Sequence, residues 1–165
     1  MSFGLSLTQM TTRNRPAILR FAALSWPEQR LFLRAVWLLP VMAFSTPLLG
    51  LKKVQSWIER GHSRGNKKKS ATETDANTIA RMVFSAARYG IVNVNCLSRS
   101  LTLCYLLRSE GLSACLRLGG RRQGELFEAH AWVELSGRTF DASENVRGFF
   151  TPFPVHLANE LTTQK

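Results

Sequence analysis

The hydrophobic period of this chain changes at Gly111, and that change constrains the fold more than any other feature. Before it, "CLSRSLTLCYLLRSE" (96–110) carries helical signals and runs into a glycine, a common helix terminator. After it, "LSACLRL" alternates: Leu112, Ala114, Leu116 and Leu118 fall on one side, Ser113, Cys115 and Arg117 on the other. That pattern predicts a strand of about seven residues, and "GGRRQGE" is expected to be a loop. "FEAHAWVEL" reads as a second strand, Ser136-Gly137 as a tight hairpin turn and "RTFDA" as the returning strand. A helix followed by a three-stranded antiparallel meander is an α+β plan, with the helix laid across the sheet.

The chain ahead of this unit reads as helical. "SWPEQRLFLRAVWLL" opens on Ser25 with Glu28 three residues on, a capping box, and Pro27 sits in the first turn, where a missing N–H costs little. Leu31, Ala35, Leu38 and Leu39 follow at helical spacing, and Pro40 is expected to end or kink the helix. A second helix is expected from about Pro47 to Arg60, with Leu48, Leu51, Val54 and Ile58 on one side. A third would start at a Thr72 or Asp75 cap, bury Ile79, Met82, Val83, Ala86 and Ala87, and stop at Gly90. Between the second and third lies "RGHSRGNKKKS" (60–70), which has five Lys or Arg and no acid. The expected division is a helical region (1–62) that docks partners, a basic linker (63–70) and the core (71–165). In the tail, "NVRGFFTPFPVHLANELTTQK", part is expected to pack and the end to fray.

With 165 residues, 45% of them hydrophobic, the chain can bury a real core and is not a disordered segment. The net charge of +11 favours an acidic partner: a nucleic acid, an anionic membrane surface or an acidic peptide or protein. The apolar stretch Leu31–Leu51 is interrupted by Arg34, Pro40, Ser45, Thr46 and Pro47, so buried or partner-facing segments are expected rather than a membrane span. Shallow membrane association is the secondary reading. The three cysteines, Cys96, Cys104 and Cys115, are odd in number and form no CxxC, and no secretory signal precedes them. A reducing cytoplasm is the expected location. Cys96 and Cys104, if both helical, are about 12 Å apart along the axis, too far for a disulfide. Cys96, Cys104, Cys115 and His130 lack the paired spacings of zinc sites, so no metal is expected.

Three residues carry candidate chemistry. Cys96 stands at the first turn of its helix, where unpaired N–H groups and the dipole favour an anion, the state a nucleophilic thiol needs. The same N–H groups could serve the oxyanion of an acyl intermediate. Taken alone, Cys96 reads as a buried, inert thiol, the more common fate of a lone intracellular cysteine. His130 lies mid-strand, and Asp141 follows Phe140 although aspartate is depleted in strands. Register links the two. If Ser136-Gly137 is a two-residue loop, Val133 pairs with Phe140 and His130 with Ser143. Asp141 then shares the face of His130 as a diagonal neighbour, about 7–8 Å away at the backbone. A three-residue loop would put Asp141 on the opposite face.

These stretches, "CLSRSLTLCYLLRSEGLSACLRLGGRR", "FEAHAWVEL" and "SGRTFDAS", resemble the transglutaminase-like cysteine proteases of lasso peptide biosynthesis, the leader peptidases of that pathway. The likeness covers roughly residues 79–142. It rests on a Cys-Leu-x-Arg-Ser helix start at Cys96, a Leu-Leu-Arg-x-x-Gly helix end at Leu106 and a His-Ala-Trp-Val-Glu strand at His130. The resemblance implies a transglutaminase- or papain-like core, with Cys96 as nucleophile, His130 as base and Asp141 as the third member. It implies hydrolysis of one peptide bond that frees the leader from a ribosomally made precursor, before a lasso cyclase closes the core peptide, and it implies no cofactor. The family's leader-recognition module is sometimes separate. The helical segment ahead of Cys96 shows no clear β-rich module, so a small separate leader-recognition protein is the expected partner and nucleic acid is not. Arg99 and Trp132 are candidates for substrate binding, each with a structural reading beside it, and Glu134 reads as structural. Two other functions stay open: acyl transfer or deamidation by the same triad, and a basic, non-catalytic binding module.

Overall fold

The computed structural model describes residues 21–62, 73–89, 94–141 and 146–153. Among the described residues, helices α1 (Trp26–Leu49), α2 (Leu51–His62), α3 (Glu73–Tyr89) and α4 (Cys96–Ser109) precede the sheet. Strands β1 (Cys115–Gln123), β2 (Leu126–Leu135) and β3 (Arg138–Phe140) follow, then a short helix α5 (Val146–Phe149) and β4 (Thr151–Pro152). The architecture is α+β, as the period change at Gly111 predicts, with a central helix headed by Cys96 on a small antiparallel sheet.

The N-terminal helix is longer than expected. Its capping box forms: the Glu28 carboxylate accepts from the Ser25 N–H at 2.9 Å and from its hydroxyl at 2.8 Å. Pro40 and Pro47 both lie inside α1, and the helix ends instead at Gly50, whose φ of 77° suits glycine. An internal proline costs about 3 kcal/mol. Ala35, Leu39 and Met42 flank Pro40 and are fully buried, and burying one such large side chain returns about 1.5–3 kcal/mol. Packing therefore overrides the breaker. Asp75 lies inside α3 rather than at its cap; Thr72, Gly90 and the basic segment 63–70 lie outside the described residues.

Helix α4 is the centre of the molecule, touching α1, α2, α3, β1 and β2. Eight of its residues are buried, including Ser98, Ser100 and Thr102. It ends as expected at Gly111 (φ 89°), where the Leu112 N–H reaches back to the Leu107 carbonyl at 3.0 Å. One cluster joins Ala35, Leu39 and Met42 of α1, Val54 and Ile58 of α2, Ile79 and Val83 of α3, the α4 leucines, and Val133, Leu135 and Phe140 of the sheet.

The sheet has four strands in the order β3-β2-β1-β4, one more than expected, because part of the tail supplies β4. The "GGRRQGE" loop is also corrected: β1 continues through Gly119 and Gly120 to Gln123, and only Gly124-Glu125 turns. The two glycines are close-approach residues rather than breakers. A Cβ on Gly119 would lie 2.6 Å from the Thr151 carbonyl oxygen and 2.7 Å from the Trp132 ring; one on Gly120 would lie 2.4 Å from the Phe127 ring. Glycine here lets the indole and the fourth strand lie against β1.

Candidate active site

The hairpin register is the one that a two-residue loop requires. Leu135 pairs with Arg138, Glu134 with Thr139 and Val133 with Phe140. Ser136 and Gly137 have φ of 49° and 80°, the left-handed pair of a type I′ turn. Asp141 thus falls on the His130 face, and His130 Nε2 lies 2.8 Å from Asp141 Oδ2. The Asp141 side chain is 1% exposed and that of His130 15%. With Nε2 engaged by Asp141, Nδ1 is the ring nitrogen left for another partner.

Cys96 is the first residue of α4 and is half-buried. Asn95 caps the helix, its Oδ1 accepting from the Ser98 N–H and the Ser98 hydroxyl, both at 2.9 Å. The Arg99 N–H bonds the Asn95 carbonyl at 3.2 Å. Among the described residues, the first-turn N–H groups of Cys96 and Leu97 take no partner, which leaves two donors beside the sulfur.

The alignment of α4 on the sheet follows from a four-residue stripe. Ser100 donates to the Ala131 carbonyl at 2.9 Å, Cys104 Sγ lies 3.6 Å from the Ala114 carbonyl, and Arg108 Nε donates to that same carbonyl at 2.8 Å. Cys96 is the next position of the stripe, one turn before Ser100. The Ser100 bond also shows where the helix enters. In this hairpin Leu135, Val133 and Ala131 direct their backbone groups toward the β3 side. Among the described residues the β3 pairing ends at Phe140, opposite Val133, and the next carbonyl on that side, of Ala131, accepts from the Ser100 hydroxyl. Ser100 lies one turn after Cys96 and Ala131 lies beside His130, so this bond ties the first turns of α4 to the strand that carries the His130–Asp141 pair. Among the described residues no hydrogen bond joins Cys96 to His130, and thiol–imidazole bonds in substrate-free sites are often long.

Trp132 is fully buried, its ring against Gly119 and its Nε1 3.3 Å from Glu134 Oε1. Glu134 also accepts from Arg117 Nε at 3.1 Å. Arg99 is half-buried, and its Nε, shielded from solvent, makes no hydrogen bond among the described residues. Cys115 is exposed at the start of β1.

Four residues around the helix start and the His–Asp pair have structural roles that were not read in the sequence. Asn95 carried a signal, an N-cap residue type directly before the helix. Ser100 entered only as the last residue of the helix-start motif and Gly119 only as a loop glycine, and Phe150 carried no signal. Phe150 lies between α5 and β4, and its ring stacks on His130 with centroids 4.8 Å apart at 22°. The Arg121 guanidinium, paired with Glu128, lies over the other partner of that stack, 5.1 Å from the Phe150 ring. β4 holds this segment down by pairing with Gly119 and Gly120, and the Phe153 N–H donates to the Leu118 carbonyl at 2.8 Å.

A cysteine-headed central helix on an antiparallel sheet that carries a buried His–Asp pair defines a thiol-enzyme type of core. The model of the transglutaminase-like superfamily matches residues 38–154, and the chain belongs to that superfamily. Its domain is of the cysteine protease or acyltransferase type. Neither a curated protein nor a solved structure matches the chain.

Proposed function

We propose that the protein is a cysteine peptidase that removes the leader from a ribosomally made lasso peptide precursor, acting with a separate leader-recognition protein and ahead of the cyclase. The observation that carries the reading is the buried Asp141–His130 pair, on the strand to which the Ser100–Ala131 bond ties the helix that Cys96 heads. Family membership and the motifs at Cys96, Leu106 and His130 support it.

In this reading Asp141 holds His130 through Nε2, and Nδ1 takes the proton of the Cys96 thiol as the sulfur attacks the scissile carbonyl carbon. The oxyanion accepts from the N–H groups of Cys96 and Leu97. As the C–N bond breaks, the imidazolium returns its proton to the leaving amine. Water, deprotonated by the same imidazole, then hydrolyses the thioester and frees the thiol.

The test is incubation of the purified protein with precursor peptide and the leader-binding partner, read by mass spectrometry. Separate leader and core masses are expected with the wild type and only intact precursor with Cys96→Ala. Cleavage by Cys96→Ala sinks the proposal. The superfamily favours a second reading, acyl transfer or deamidation through the same thioester. A one-dalton gain marks deamidation, and a mass increase by an added amine marks transfer.

A further inference from the structure

Helix α1 presents two faces of opposite fate. Ala35, Leu39 and Met42 are in the core. The other side carries Leu33, Trp37, Val41, Phe44 and Leu48, at steps of three and four residues, and all five are exposed: Trp37 by 77%, Phe44 by 64% and Leu48 by 81%. The strip is about 22 Å long at the helical rise. Its one charged neighbour, Arg34, is drawn aside to Glu110 at 3.3 Å. Exposed Trp26 extends it at one end. Exposed cations bracket it, Arg30 before and Lys52 and Lys53 after.

We propose that this face docks the protein on an anionic phospholipid bilayer, with α1 lying in the interface plane. A contiguous apolar strip of this kind marks an interaction site, and three features select its occupant. A second copy would bring another +11 charge against the first. A protein partner is recognised with about one hydrogen bond per 100–200 Å², yet from Leu33 to Leu49 the fully exposed positions are apolar apart from Arg34 and the Trp37 indole. Lipid asks for no directional contacts, and tryptophan among aliphatic residues with flanking Lys and Arg is the composition of an interfacial helix. The helix is long and apolar enough to span a bilayer, its most apolar 18-residue stretch having a mean hydropathy of 1.6. Its core face keeps it on the surface, because spanning would strip Ala35, Leu39 and Met42 from α2–α4.

The experiment is flotation of the full chain with vesicles of phosphatidylcholine alone or of equal parts phosphatidylcholine and phosphatidylglycerol. Binding to the mixed vesicles is expected, weaker on the neutral ones and weakened by salt. Trp37→Glu with Phe44→Glu, two exposed positions, should keep the circular dichroism spectrum and lose about tenfold or more in partitioning. Removing the charge at Lys52 or Lys53 should cost about fivefold per site on the anionic vesicles alone. No flotation of the wild type, unchanged flotation of the double variant, or a wild-type dimer that the double variant splits overturns the proposal. If the double variant fails to fold, tryptophan fluorescence of the wild type decides: a blue shift on adding mixed vesicles supports the proposal, and its absence overturns it.

Discussion

Ser100 does for the candidate site what a strand would do elsewhere. It donates to the Ala131 carbonyl and so ties the Cys96 helix to the strand of His130. Ser100→Ala is expected to cost about 1–3 kcal/mol in chemical denaturation, since a buried acceptor is left unpaired. Its effect on the chemical step should exceed its effect on peptide binding, because it shifts the helix and touches no substrate. Asp141→Asn keeps the shape of the side chain and removes the charge that holds the imidazole. A fall in turnover of about 10³-fold or more is expected, with peptide affinity retained. Gly119→Ala acts through sterics, as its methyl would strike the Thr151 carbonyl and the Trp132 ring. A stability loss of about 1–3 kcal/mol is expected, together with loss of activity as β4 and Phe150 are pushed from His130.

At the level of elements, the start of α1 gives a pH-dependent prediction. The Ser25 backbone N–H, then the Ser25 hydroxyl and the nearby Arg81, hold the Glu28 carboxyl below its ordinary value of 4.5. A group lowered in the folded state stabilises above its unfolded value and loses that contribution as pH falls through the folded one. Glu28→Gln should therefore cost roughly 0.3–1.5 kcal/mol at neutral pH, and thermal melts should show the gap from the wild type closing as pH drops below 4.5. The same elements show what was legible beforehand. The α4 boundaries, the β2–β3 register and the His130–Asp141 pairing follow from local pattern, because capping, alternation and turn chemistry are set by neighbours in the chain. The passage of α1 through Pro40 and the extension of β1 through Gly119 and Gly120 do not, since both are decided by side chains distant in sequence: the core around Leu39, and Trp132 and Thr151. Phe150 over His130 is hidden for the same reason, as it depends on where β4 docks.

For the whole molecule, the shared core has a measurable consequence. Leu39 of α1 is 3% exposed and lies in one cluster with Val133 and Leu135 of β2. Leu39→Ala should lower stability by about 2–5 kcal/mol. It should do so in a single transition, with far-ultraviolet dichroism and tryptophan fluorescence coinciding, rather than melting the N-terminal helices first. The order of the elements bears equally on how the protein is made. Cys96, His130 and Asp141 all leave the ribosome before Phe150, the ring that covers the imidazole. A nascent chain therefore holds Cys96, His130 and Asp141 before it holds the Phe150 ring, and the proposed site gains its cover only when the last strand of the sheet is synthesised and laid against Gly119.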